Sequence, residues 1–165
     1  MDSLFTSLRK YRPREKSDPF ENFVTEAFAW LLRKDTELGL CFIDGISKKL
    51  ASKGKGFTLR GNEVAWSTQE NYGGVYPDME AKLSGITLVF EHKVHAPLHN
   101  DKLQSYRSYH ERMGREYRLI LITGHQSHSA HDPALALCWY ENYQLIERNI
   151  KTKQSNEYTW EVKDV

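Results

Sequence analysis

Asp78, Glu91 and Lys93 are the residues whose types and spacing point to chemistry. Asp78 follows Pro77 near the start of an extended segment, VYPDMEAKL, at 75–83. Glu91 and Lys93 close the apolar run ITLVFEHKV at 86–94. The two segments are joined by Ser84-Gly85, a pair suited to a tight turn. A hairpin folding at that turn sets residue 78 opposite about residue 91. Side chains alternate along a strand, so Glu91 and Lys93 share a face. Asp78 and Glu91 are therefore expected to converge at one end of the sheet with Lys93 beside them. Two convergent carboxylates form an oxygen site for a hard cation such as Mg²⁺ or Mn²⁺. A lysine beside that site can orient or deprotonate a water and offset charge on a pentavalent phosphate. Together these groups are what phosphodiester hydrolysis requires.

The elements that must position these residues can be read from periodicity. Asp18 as N-cap and Pro19 at the first turn start a helix running to about Lys34. Phe20, Phe23, Val24, Ala27, Phe28, Leu31 and Leu32 recur along it at helical spacing. A second helix is expected over about 36–52, with Leu38, Cys41, Phe42, Ile46 and Leu50 inward and Gly54 and Gly56 ending it. Strands are expected at 57–68, 75–83 and 86–94, a helix at about 100–114, and strands at 117–123 and 135–139. A closing helix follows at 140–150, and the tail 156–165 has the composition of an edge strand. In 86–94, Ile86, Leu88 and Phe90 face one way and Thr87, Val89, Glu91 and Lys93 the other. Apolar residues on both faces mark a central strand covered on both sides. The order α-α-β-β-β-α-β-β-α predicts an α/β sandwich, a mixed central sheet flanked by helices.

The pattern Y-P-D-M-E, ten residues, then E-H-K-V after the run LVF resembles the PD-(D/E)XK nuclease superfamily. The likeness spans roughly 18–150. It implies a restriction-endonuclease-like α-β-β-β-α-β core and a divalent-metal-dependent nuclease acting on DNA. Asp78, Glu91 and Lys93 would be its catalytic residues, with Asp78 and Glu91 as ligands of Mg²⁺ or Mn²⁺. Family members often add a Glu from the N-terminal helix. The candidates are Glu26, favoured because T-E-A-F-A-W-L-L is the family-like stretch, and Glu21, which lies nearer the apolar face of the helical wheel. The helix after Lys93 resembles members with a Gln-Leu-x-x-Tyr motif, here Lys102-Leu103-Gln104-Ser105-Tyr106. Leu103 and Tyr106 match, whereas Lys102 stands where Gln is expected. By this likeness Lys102, Gln104 and Tyr106 are candidate nucleic-acid contacts. The implied settings are restriction, phage defence and DNA repair. The alternative is a catalytically silent module of the same fold that binds nucleic acid or protein.

Composition bounds these readings. The 165 residues suit one domain, 18–150, with a polar lead-in at 1–17 and an extension at 151–165. Lys and Arg number 23 against 22 Asp and Glu, so no global basic excess argues for DNA. Cations cluster instead at 9–16 and 44–60, either as solvated patches or as a rim that tracks phosphates. This balance leaves room for a homo-oligomer or a defence-system partner protein to supply positive surface. No apolar run reaches the ~20 residues of a membrane span, and the N-terminal segment lacks a signal-like apolar stretch. Cys41 and Cys138 are expected to be core thiols of a cytoplasmic protein. His92, His95 and His99, and then His125, His128 and His131, form two clusters, but His92 and Glu91 face opposite ways and no thiolate is near, so zinc is disfavoured. Glu80, on the face of Asp78, is expected to be a solvated neighbour. Trp30, Trp66 and Trp139 are expected to pack in the core or its rim.

Overall fold

The computed structural model describes residues 19–94, 100–124 and 132–152. The lead-in at 1–17, the N-cap Asp18, the basic segment 9–16, His95, His99, the 125–131 loop and the tail 156–165 lie outside them. Helix α1, Pro19–Lys34, is followed by α2, Thr36–Ser52. Asp35 caps α2 by accepting a hydrogen bond from the Leu38 amide at 3.0 Å. Gly54, at φ +69°, takes the left-handed position that ends the helix. Strand β1, Ala65–Thr68, is shorter than the expected 57–68. Residues 57–64 run irregularly past Gly61, and the Arg118 guanidinium meets the carbonyls of Lys55 and Gly56 just before them.

Strands β2, Met79–Leu83, and β3, Ile86–Lys93, form the expected hairpin. Its register pairs Leu83 with Ile86 and Met79 with Phe90. Strand β2 begins at Met79 rather than 75, because Pro77 has no amide to donate to a ladder. Helix α3, Asn100–Met113, then crosses to β4, Tyr117–Thr123, which lies parallel to β3. Strand β5, Leu135–Cys138, is parallel to β4, and α4, Trp139–Thr152, starts directly after it.

The result is an α/β fold. A five-stranded mixed open sheet, ordered β1-β2-β3-β4-β5, is flanked by four helices among the described residues. Helices α1, α2 and α4 pack on one face, where Phe28, Phe42, Ile46, Leu88, Phe90, Ile120 and Ile122 form the main core. Helix α3 covers the other face, where Leu103 and Tyr106 meet Val89, Leu119 and Leu121. The alternation expected in 86–94 is therefore present, with both faces buried. Trp30 and Trp66 are in the core, Trp139 is partly buried against it, and Cys138 is buried while Cys41 is only half-buried. No helix among the described residues is long and apolar enough to cross a membrane.

Candidate active site

The register of the hairpin brings Asp78 and Glu91 together at the end of the sheet away from the Ser84-Gly85 turn. Asp78 precedes the first residue of β2, and its carboxylate replaces a ladder carbonyl by accepting from the His92 amide at 2.7 Å. That bond fixes the side chain against β3. Glu91 is only 1% exposed. Its Oε1 accepts from Lys102 Nζ at 2.7 Å and lies 3.1 Å from Lys93 Nζ. The Tyr106 hydroxyl is 2.8 Å from both Glu91 Oε2 and the Tyr76 carbonyl, sharing its one proton between them.

Lys102 also reaches Asp78 Oδ1, at 3.7 Å. One ammonium thus touches both carboxylates. Lys93 joins the third acid: its Nζ is 3.2 Å from Glu21 Oε2, and Glu21 Oε1 accepts from the Val94 amide at 2.7 Å. The cluster holds three carboxylates and two ammonium groups.

Its electrostatics follow from burial and charge. Burial, then the neighbouring Asp78, push the Glu91 carboxyl above its ordinary range, and Lys102 and Lys93 offset this in part. Burial alone would lower Lys93, yet Glu91, Asp78 and Glu21 outweigh it and hold the ammonium protonated above its usual range. Behind the strand, burial holds His92 neutral, with its pKa pushed down to about 3. His92 Nδ1 shares a 2.6 Å hydrogen bond with the Thr25 hydroxyl, and its ring packs on Trp139 at 5.0 Å. His92 therefore ties β3 to α1, four residues along from Glu21, and points away from the acids.

The acid contributed by α1 is Glu21, and the expectation of Glu26 is corrected. Five residues on a helix turn Glu26 well away from Glu21. Glu26 instead interacts with Thr68 and Arg33, and its carboxyl is raised by burial. The signal was present in the helical wheel, where Glu21 lies nearer the buried stripe of Thr25, Phe28 and Leu32.

Of the candidate nucleic-acid contacts, Tyr106 is placed differently. Tyr106 is wholly buried and so presents no surface to a polymer; it holds Glu91 instead. Gln104 is exposed and bonds with Arg107 rather than with the acids. Lys102 is drawn to the carboxylates, one helical turn from Tyr106 and 5.8 Å from its ring. Neither role for Lys102 and Tyr106 was legible from the motif alone; the i, i+4 spacing puts both on the face that covers Glu91. Glu80 is corrected too. It is 1% exposed and fully partnered, not solvated.

Of the basic segment 44–60, Lys48 pairs with Asp44 and Lys49 with Glu141. Lys55, with Arg107 and Arg118, lines a depression of about 420 Å³. Tyr117 on its wall pairs with Thr87 near the start of β3, and Leu119 with Val89 in its middle. Asp132 also lines the depression, 3.9 Å from Lys55, and Arg118 is paired with Glu116.

The donor chemistry fits a hard divalent cation at Asp78 and Glu91, since both present oxygens to one cationic point. Among the described residues no group of three or more His, Cys, Asp or Glu is already arranged around a metal position. The chain matches no family model, no curated protein and no solved structure.

Proposed function

We propose that the protein is a divalent-metal-dependent nuclease of restriction-endonuclease-like fold, acting on DNA through Asp78, Glu91, Lys93 and Glu21. The observation that carries this reading is the shared ammonium contact of Asp78 and Glu91, with Lys93 and Glu21 adjoining it. Such a concentration of charge at one sheet end costs desolvation energy that apolar packing would not. It is chemistry, not stability, that this arrangement serves.

Asp78 and Glu91 would hold Mg²⁺ or Mn²⁺, which when bound supplies Lewis acidity and a water of lowered pKa. Lys93, held protonated, donates hydrogen bonds and positive charge to a phosphate oxygen and orients the attacking water. Glu21 fixes Lys93 and, through the Val94 amide, the end of β3. Tyr106 fixes Glu91. His92 and Thr25 anchor the strand from behind. The settings this chemistry suits are restriction, phage defence and repair, in the cytoplasm, with a second copy or a partner protein adding positive surface.

A second reading, a silent module of the same fold, draws on the direct lysine–carboxylate contacts, which satisfy the acids without any metal. One assay separates the two. Supercoiled and linear DNA are incubated with the protein in Mg²⁺, Mn²⁺ or EDTA, beside Lys93→Met. Metal-dependent cleavage, lost in EDTA and reduced about 10²–10⁴-fold in Lys93→Met, is expected. Cleavage that persists in EDTA, or binding without any cleavage, overturns the nuclease reading.

A further inference from the structure

The ammonium of Lys102 stands between the two carboxylates proposed as metal ligands, 2.7 Å from Glu91 Oε1 and 3.7 Å from Asp78 Oδ1. Its stem rises from α3, and its side chain is 31% exposed, against 12% for Lys93. The two lysines therefore differ. Lys93 is enclosed between Glu21 and Glu91. Lys102 has open solvent beside it and a four-carbon stem that can swing outward.

We propose that Lys102 is a built-in competitor for the cation. Its ammonium bridges Asp78 and Glu91 in the metal-free protein and must leave before a divalent ion can enter. The proposal rests on the reading of Asp78 and Glu91 as metal ligands and concerns how that site is regulated.

Charge supports it. Without a cation, Glu21, Asp78 and Glu91 carry three negative charges against two positive. Removing Lys102 would leave Glu91, buried and beside Asp78, with Lys93 as its remaining ammonium. A divalent ion entering while Lys102 stays would crowd three positive centres around Glu91, so one must go. Lys102 is the one with an exit. Once displaced, it lies at the mouth of the site, where a phosphodiester offers it a new partner. Polyanion binding thus releases the acids for the metal, and by linkage metal binding strengthens the hold on the polyanion.

The position also departs from the Gln-Leu-x-x-Tyr pattern in the residue that makes this possible. Glutamine has no charge with which to occupy a cation position.

The test is calorimetric titration of Mn²⁺ into wild type, Lys102→Gln and Glu91→Gln without nucleic acid, with melting in EDTA measured alongside. Lys102→Gln is expected to bind Mn²⁺ roughly tenfold or more tightly than wild type. It is also expected to melt at a lower temperature than wild type in EDTA and to regain the difference when Mn²⁺ is added. Binding in Lys102→Gln alone, with none in wild type, supports the proposal equally. Mn²⁺ binding that Glu91→Gln abolishes but Lys102→Gln leaves unchanged or weakens overturns the competitor role and leaves the metal site standing. Absence of binding in every protein, or binding that Glu91→Gln does not affect, overturns the metal site and the proposal with it.

Discussion

Two buried glutamates project from the α3 face of the sheet, and they are solvated by the protein in opposite ways. Glu80 on β2 pairs in register with Val89, two residues before Glu91 on β3. Both carboxylates are 1% exposed. Glu80 accepts from Ser67 Oγ at 3.0 Å and from the Tyr72 hydroxyl, and Lys82 Nζ lies 2.5 Å away with its outer side in water. Tyr72 is in turn 3.1 Å from His110 Nε2 and stacks on Tyr109 at 4.0 Å. One negative charge is met by one ammonium and two neutral donors. Among the described residues no second carboxylate shares these hydrogen bonds. Glu91 differs because Asp78 adjoins it and two ammonium groups are needed to compensate. The first arrangement is what a folded protein needs to bury one carboxylate. The second carries charge of both signs beyond that need, and that excess sets the two regions apart.

The acid on α1 should separate from its neighbour: Glu21→Gln is expected to lower metal-dependent cleavage about 10–100-fold, by loosening Lys93 and the end of β3. Glu26→Gln is expected to leave the rate within a few-fold, since its partners are Thr68 and Arg33. Measured rates that reverse this order would move the fourth acid back to Glu26.

Glu80→Gln is expected to cost about 1–3 kcal/mol in chemical denaturation, because Tyr72 and Ser67 lose a charged acceptor in a buried network. Cleavage per folded molecule should be unchanged. Tyr106→Phe sits between the two regions. It removes the hydroxyl from Glu91 and Tyr76, so a stability loss of about 1 kcal/mol is expected together with a several-fold drop in cleavage. An effect on stability alone would make Tyr106 part of the Glu80 region instead.

The smallest expected effect is a pH dependence. Burial lowers the His110 pKa from its ordinary 6.5, against the pull of Glu80. The unfolded chain therefore takes up this proton first as pH falls. The contribution of neutral His110 is complete above about pH 6.5 and is lost as pH drops below it toward the folded value. Between about pH 7 and pH 5, His110→Gln should lose less stability than wild type in urea titrations. Parallel losses would show that His110 charges as readily in the folded protein as in the unfolded chain.

Much of the positioning is local, and so it was legible. The turn at Ser84-Gly85 and the two-residue period of β3 are enough to set Asp78 against Glu91 and to send His92 to the other face. The helices α1 and α2 follow from apolar spacing, and so does the mixed sheet order from the sequence of elements. What was not legible depends on which long side chain reaches which partner across space. Lys102, Glu21 and Glu80 each have flexible stems, and their partners are 11, 72 and 8 to 13 residues away. Glu21 and Glu26 are both buried, so burial does not separate them; Glu21 faces Lys93 and the Val94 amide, whereas Glu26 faces Thr68 and Arg33. The expected 57–68 strand is shortened to Ala65–Thr68, and Gly61, at φ +85°, takes a left-handed turn inside the part that is lost.

We assign metal-dependent phosphodiester cleavage to the Glu91 region and a supporting role to the Glu80 region. The most direct measurement is the initial rate of supercoiled-plasmid nicking in Mn²⁺ by wild type, Glu91→Gln and Glu80→Gln, each verified as folded by circular dichroism. Wild type and Glu80→Gln are expected to nick at similar rates, with a loss of about 10³-fold in Glu91→Gln. Equal rates in wild type and Glu91→Gln, or loss in Glu80→Gln with Glu91→Gln active, would contradict that assignment.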